Sequence, residues 1–239
     1  RYTQRPVKDF TKYILLTNFS KYVEIFATHF HVPILGEDSN MPSASADGVT
    51  IINFGMGSAN AATVMDLLSA VKPEAVLFLG KCGGIKKVNK LGDYILPIAA
   101  IRGEGTSNDY FPPEVPALPA FMLQRAVSTA VRNHHRDYWT GTVYTTNRRV
   151  WEFDDNFKDY LRRIRCMAVD MESITDWLLT EKAEEQFAMQ HPPLYVLYPV
   201  PSVTQIHNRL TPEQLLPYII GHSALFVRQS APKVSDKVP

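Results

Sequence analysis

Two carboxylates bracket a methionine at the end of an apolar run: Arg165 to Trp177 reads RCMAVDMESITDW. In a strand, side chains alternate faces, so Asp170 and Glu172 point the same way and Met171 the other. In the first turn of a helix, Asp170 is instead an N-cap and Glu172 a favourable charge near the positive end of the dipole. The first arrangement makes a site and the second makes a boundary.

Small and polar residues gather at three other places. Asn18 lies in the polar loop Leu16-Thr17-Asn18-Phe19-Ser20, and Gly57 in Asn53-Phe54-Gly55-Met56-Gly57-Ser58; each opens on a helical pattern. Gly83 belongs to Gly80-Lys81-Cys82-Gly83-Gly84. Glycine removes the Cβ obstacle to close approach, and a helix N-terminus offers free N–H groups to an anion. None of the three is a P-loop or a dinucleotide fingerprint, and each taken alone reads better as a tight turn. Together, on three strand ends of one sheet, they favour a nucleotide-sized anion site. Lys81, Arg148 and Arg149 are the cations at hand, with Thr145 and Thr146 as hydroxyl donors; the arginine pair also reads as a solvated basic face. No pair of the seven histidines has metal-ligand spacing on a helix face, so no metal is assigned, nor any cofactor.

The elements that must position these residues alternate in type. Nearly continuous apolar runs at 13–17, 49–55, 75–80, 93–101 and 166–171 suit strands covered on both faces. Amphipathic patterns at 20–30, 60–71, 120–133 and 156–164 suit helices, with Ser20 as the cap of the first. Further on, 171–190 reads as a helix, LYVLYPV as a strand, and Thr211, Pro212 and Gln214 as a helix start. The alternation predicts a three-layer α/β fold around a doubly wound, mostly parallel sheet, within a single domain over 1–239. With 25 Lys and Arg against 24 Asp and Glu, no net field argues for nucleic acid or a membrane surface. Two cysteines suit a reducing compartment, and the proline-bearing stretch Gln186–Asn208 is a poor membrane helix. The expectation is a soluble, cytoplasmic protein.

GKCGGIKKVNKLGDYILP resembles the glycine core of the purine nucleoside and uridine phosphorylase superfamily, and AVDMES its strand with the acidic-Met-Glu triplet. ILLTNFSKYVEIFATHF, INFGMGSANAATVMDLL, IRGEGTSNDYFPPEVPALP and YTTNRRVWEFDD resemble one branch, the AMP nucleosidases in their short bacterial form. The likeness runs from about Lys8 to Ser173. It implies hydrolysis of the N-glycosidic bond of AMP to adenine and ribose 5-phosphate, by a homo-oligomer, commonly a hexamer built from dimers. Carried over by position, Glu172 would bind the ribose hydroxyls, Met171 would pack under the sugar, and Trp151 or Phe153 would stack on the base. Lys81 or Arg148 would grip the 5′-phosphate, with Asn18, Gly57, Gly83 and Thr146 completing the pocket. An oxocarbenium-like transition state gains positive charge, and a carboxylate on the 2′-hydroxyl strengthens as it does.

Two departures bear on the chemistry. Where the hexameric phosphorylases supply an arginine and a serine to inorganic phosphate, this chain has Phe78 and Lys81, which favours water as nucleophile over phosphate. The superfamily's second carboxylate, an Asp after a later strand, has no counterpart after LYVLYPV; Asp236 sits in the last few residues, which leaves Asp170 as the nearest candidate acid. The alternatives are therefore a nucleoside phosphorylase or other nucleosidase, and a nucleotide binder of weak activity.

Overall fold

The computed structural model describes residues 2–172 and the backbone of 195–199. The first expected strand and helix fall on their boundaries, as β1 (Tyr13–Thr17) and α1 (Ser20–Phe30). Ser20, expected as the cap, is instead the first helical residue. Phe19 holds the cap position without a side-chain bond, and the Ser20 hydroxyl accepts from Asn53 Nδ2 at 3.0 Å. A strand not foreseen, β2 (Ser43–Ala46), precedes β3 (Val49–Asn53). Next in the chain are α2 (Ser58–Leu68), β4 (Ala75–Leu79) and the short β5 (Gly83–Gly84).

The apolar run 93–101, read as one strand, is two: β6 (Tyr94–Ile95) and β7 (Ala99–Gly103), in different sheets. Pro97 lies between them and has no N–H to continue a ladder, so the chain changes partners there. Beyond α3 (Phe121–Asn133) come β8 (Tyr138–Trp139), β9 (Thr142–Thr146), α4 (Asp155–Arg163) and β10 (Ala168–Asp170). β11 (Tyr195–Pro199) coincides with the expected strand in LYVLYPV. The helices expected at 171–190 and from Thr211, and Asp236, lie outside the described residues.

A seven-stranded mixed sheet runs β2-β3-β1-β4-β11-β6-β8, and a four-stranded sheet runs β5-β10-β9-β7. In the first, β3, β1 and β4 are parallel, with Asn53, Thr17 and Leu79 level, so the loops holding Asn18, Gly57 and Lys81 leave the same edge. In the second, Asp170, Thr145 and Arg102 are level on three parallel strands.

The two faces of the larger sheet are buried by different helices. Leu16, Ile52 and Phe78 pack with Ala61, Val64 and Leu68 of α2. Their neighbours Leu15, Ile51 and Leu77 pack with Val23 and Phe26 of α1 and Val127 and Val131 of α3. Alternation along each strand thus feeds both layers, and each large side chain so buried contributes about 1.5–3 kcal/mol. The result is the α/β/α sandwich that the pattern predicts. Among the described residues no helix is long and apolar enough to cross a membrane.

Candidate functional site

Strand β10 ends at Asp170, so the triplet straddles the strand terminus and the turn beyond it. Asp170 and Glu172 are both buried, and the helix that Asp170 would cap falls outside the described residues. The Asp170 carboxylate accepts from the backbone N–H of Glu172 at 3.1 Å, a cap-like turn, and from the Thr145 hydroxyl of β9 at 2.8 Å. With its oxygens engaged by these two groups and only 5% of its surface exposed, Asp170 fixes the direction in which the chain leaves the strand.

Glu172 is 2% exposed and reaches across to the larger sheet. Its Oε1 accepts from Gly57 N–H at 2.8 Å and its Oε2 from Met171 N–H at 3.2 Å, with the Asn18 side chain donating as well. Gly57 is the N-cap of α2 at φ 94°, a region that favours glycine, and its N–H points the positive end of the helix at the carboxylate. Ser58, next in line, donates its hydroxyl to Met171 C=O at 2.8 Å. The β10 terminus is thereby tied to the ends of β1 and β3 through one buried carboxylate and one carbonyl.

Burial raises the Glu172 pKa from the ordinary 4.5 to about 7, and the Asp170 charge adds to the rise; the Gly57, Met171 and Asn18 donors oppose it. A carboxyl so poised can accept hydrogen bonds from a ligand's hydroxyls and can change charge near neutral pH.

The other expected residues divide. Lys81 sits at the end of β4 with its ammonium 4.4 Å from the Phe19 ring centroid, and it has no ion-pair partner among the described residues. Desolvation holds its pKa below the ordinary lysine value. Arg148 is already engaged, with Asp154 at 2.8 Å and its guanidinium 5.2 Å from the Phe157 ring centroid. Thr146 is buried and accepts from Arg148 N–H at 3.1 Å. Trp151 is 8% exposed, packed with Leu161, Cys166 and Val169, whereas Phe153 is 87% exposed.

Trp151 lies against Gly83, where a Cβ would come 2.7 Å from indole Cζ2. Gly83→Ala therefore destabilises the fold by about 1–3 kcal/mol, read from urea unfolding, because a buried ring must move to admit the methyl.

Phe78, at the position where the resemblance puts a phosphate-binding arginine, is fully buried, its ring centroid 5.4 Å from that of Phe54. Sequence reasoning did not reach Ser58, Glu104 or the Thr145–Asp170 bond. Glu104 comes directly after β7 and is buried, accepting from Ser107 N–H at 3.3 Å and from the Ser107 hydroxyl. Arg102 knits the same loop by donating to Ser107 Oγ at 3.0 Å, Asn108 Oδ1 at 2.8 Å and Phe111 C=O at 2.8 Å. The available signal was the run Arg102-Gly103-Glu104-Gly105, in which β7 ends and the loop begins. Among the described residues no cluster of three or more His, Cys, Asp and Glu could hold a metal ion.

Residues 14–180, which carry this sheet and the buried glutamate at its strand ends, match the Phosphorylase superfamily, and the chain belongs to it. Within that family it is 55% identical to a solved structure, AMP nucleosidase from Bacteroides thetaiotaomicron VPI-5482, covering 95% of this chain and 92% of that one with a TM-score of 0.83. It is also 29% identical over 220 residues to the AMP nucleosidase of Escherichia coli (strain K12). That alignment takes in 73% of this chain and 46% of the relative, so the chain spans about half the length of that curated protein. The uridine phosphorylase structure from Vibrio fischeri, at 17% identity and a TM-score of 0.73, shares the fold.

Proposed function

We propose that this chain hydrolyses the N-glycosidic bond of AMP, releasing adenine and ribose 5-phosphate. The observation that carries the reading is Glu172: a buried carboxylate, held by two backbone N–H groups and an amide, where the ends of β1, β3 and β10 meet. It accepts the ribose 2′-hydroxyl. As C1′ gains positive charge, the carboxylate stabilises that charge through the 2′-hydroxyl more than it stabilises the ground state.

Met171 packs under the sugar, its carbonyl anchored by Ser58. Lys81 holds the 5′-phosphate: of the three candidate cations it alone has no acidic partner among the described residues, whereas Arg148 pairs with Asp154 and Arg149 with Glu152. Phe153 has the open ring face that a purine requires, and Trp151 supports Gly83 from beneath. Asp170 positions Glu172. Water is the nucleophile, because the buried Phe78 offers no charge to inorganic phosphate. The likeness to two AMP nucleosidases supports the choice of nucleotide. Homo-oligomeric assembly belongs to the same proposal.

The test is adenine release from AMP, adenosine and inosine, each with and without inorganic phosphate. AMP is expected to outrun both nucleosides in kcat/KM, at a rate phosphate does not raise. Preference for a free nucleoside, with phosphate required, would make the chain a phosphorylase. Tight AMP binding without release would make it a binder.

A further inference from the structure

Asn18 carries an unmet hydrogen bond beside the very carboxylate on which the proposed function rests. It comes directly after β1, in a loop pinned on both sides. Thr17 C=O accepts from Phe54 N–H at 3.0 Å, and the Thr17 hydroxyl accepts from Phe19 N–H at 3.2 Å. The Asn18 side chain donates to Glu172. An ionised carboxylate only accepts, so the amide must turn its NH2 toward Glu172 and its carbonyl away. That carbonyl, Oδ1, is shielded from solvent and has no hydrogen-bond partner among the described residues.

A buried acceptor without a donor is rare because its desolvation goes uncompensated, and such groups concentrate where a ligand completes the bond. The loop cannot relax to relieve it, since Thr17 fixes the backbone on either side.

We propose that Asn18 Oδ1 receives an O–H donor at the sugar, next to the hydroxyl that Glu172 accepts. One side chain then has two functions: its NH2 orients Glu172 and its carbonyl engages the substrate. Two sources supply an O–H there, the neighbouring ribose hydroxyl and the attacking water. Either makes Asn18 a residue that touches reacting or substrate atoms rather than a filler of the β1–α1 loop.

The inference rests on the ribosyl-cleavage reading, and the experiment keeps the two apart. The parent protein is first assayed on AMP and on adenosine. Whichever ribosyl substrate it turns over is used to compare the variants, so a wrong nucleotide assignment does not decide the fate of Asn18. Asn18→Leu keeps the volume and removes both polar ends, and Asn18→Ala is carried alongside in case the leucine is misplaced. Both are compared with the parent on the ribo substrate and its 2′-deoxy and 3′-deoxy analogues, at pH 8.5 to 9, on the plateau where Glu172 is ionised. Melting curves monitor folding.

If the donor is a ribose hydroxyl, the variants lose about 10- to 100-fold in kcat/KM on the ribo substrate, and the loss disappears with the one analogue lacking that hydroxyl. If it is the attacking water, the same loss appears in kcat on all three substrates with KM unchanged. Loss of the NH2 bond to Glu172 alone predicts a loss that disappears with the 2′-deoxy analogue, whose missing hydroxyl is the one Glu172 acts through, and that outcome would overturn the proposal. A loss that disappears only with the 3′-deoxy analogue, or an equal loss on all three substrates, does not follow from Glu172. Variants within about two-fold of the parent on the plateau, or a loss confined to acidic pH where it reflects Glu172 protonation alone, would overturn the proposal.

Discussion

Under the proposed hydrolysis, Glu172→Gln is expected to lower kcat/KM for AMP by about 1,000-fold, with most of the loss in kcat, because the charge it removes would act mainly on the developing oxocarbenium ion. The same substitution has a signature in stability that does not depend on knowing the substrate. Burial and the Asp170 charge hold the Glu172 carboxyl near pKa 7 in the folded chain, against 4.5 for an ordinary glutamate. Below pH 4.5 the group is protonated in both folded and unfolded chains, and no difference arises. As pH rises through 4.5 the unfolded chain releases its proton while the folded chain keeps it until about pH 7, so the unfolded state is favoured over that window. The parent loses about 3 kcal/mol in this way, and glutamine, which does not titrate, loses none. The stability of Glu172→Gln relative to the parent therefore rises by about 2–3 kcal/mol between pH 5 and pH 8, read from urea unfolding at each pH. A flat difference would mean that Glu172 is not the desolvated, charge-crowded group described. In catalysis the same ionisation is expected to give kcat/KM an acid limb near pH 7, read from a pH–rate profile.

Asp170→Ala is expected to cost about 2–4 kcal/mol of stability and about 100-fold in activity. It strands the Thr145 hydroxyl and the Glu172 N–H, both of which the carboxylate accepts from in the folded chain, and it frees the turn that aims Glu172. Asp170→Asn separates positioning from proton transfer. The asparagine carbonyl can accept from Glu172 N–H, and its NH2 can donate to a reoriented Thr145 hydroxyl, so the turn survives. With the neighbouring charge gone, the Glu172 pKa falls and the acid limb of kcat/KM moves to lower pH. Activity on the plateau stays within about ten-fold of the parent. If the asparagine variant is as inactive as the alanine one, Asp170 is a proton donor and its positioning role is wrong.

How far the sequence carried these arguments differs by element. β1 and α1 were legible to the residue because YILLT is uniformly apolar and SKYVEIFATHF keeps a helical period. β9 was missed: TVYTT is short and rich in threonine, and its Thr145 and Thr146 are buried for hydrogen bonding rather than for packing. β2, SASA, carries too little apolar bulk to announce an edge strand. The 93–101 run looked continuous because hydropathy does not register the partner change at Pro97.

The spacing of Asp170 and Glu172 singled out two carboxylates that are both buried and hydrogen-bonded at the end of β10. Their division of labour was not legible, because it depends on Thr145, Gly57 and Asn18, which are distant in sequence and meet only when strand order is known. Trp151 shows the same limit. Its chemistry suits a purine face, but its burial against Gly83 arises from how the β10 sheet packs on α4.

In the proposed reaction water, not phosphate, takes the ribosyl group from a nucleotide. The most direct measurement is the phosphorus spectrum of products formed from AMP in the presence of excess inorganic phosphate. Ribose 5-phosphate as the sole new phosphorylated sugar, with inorganic phosphate unconsumed, is the result expected. Appearance of a ribose 1,5-bisphosphate, with phosphate consumed in step with adenine release, would contradict it.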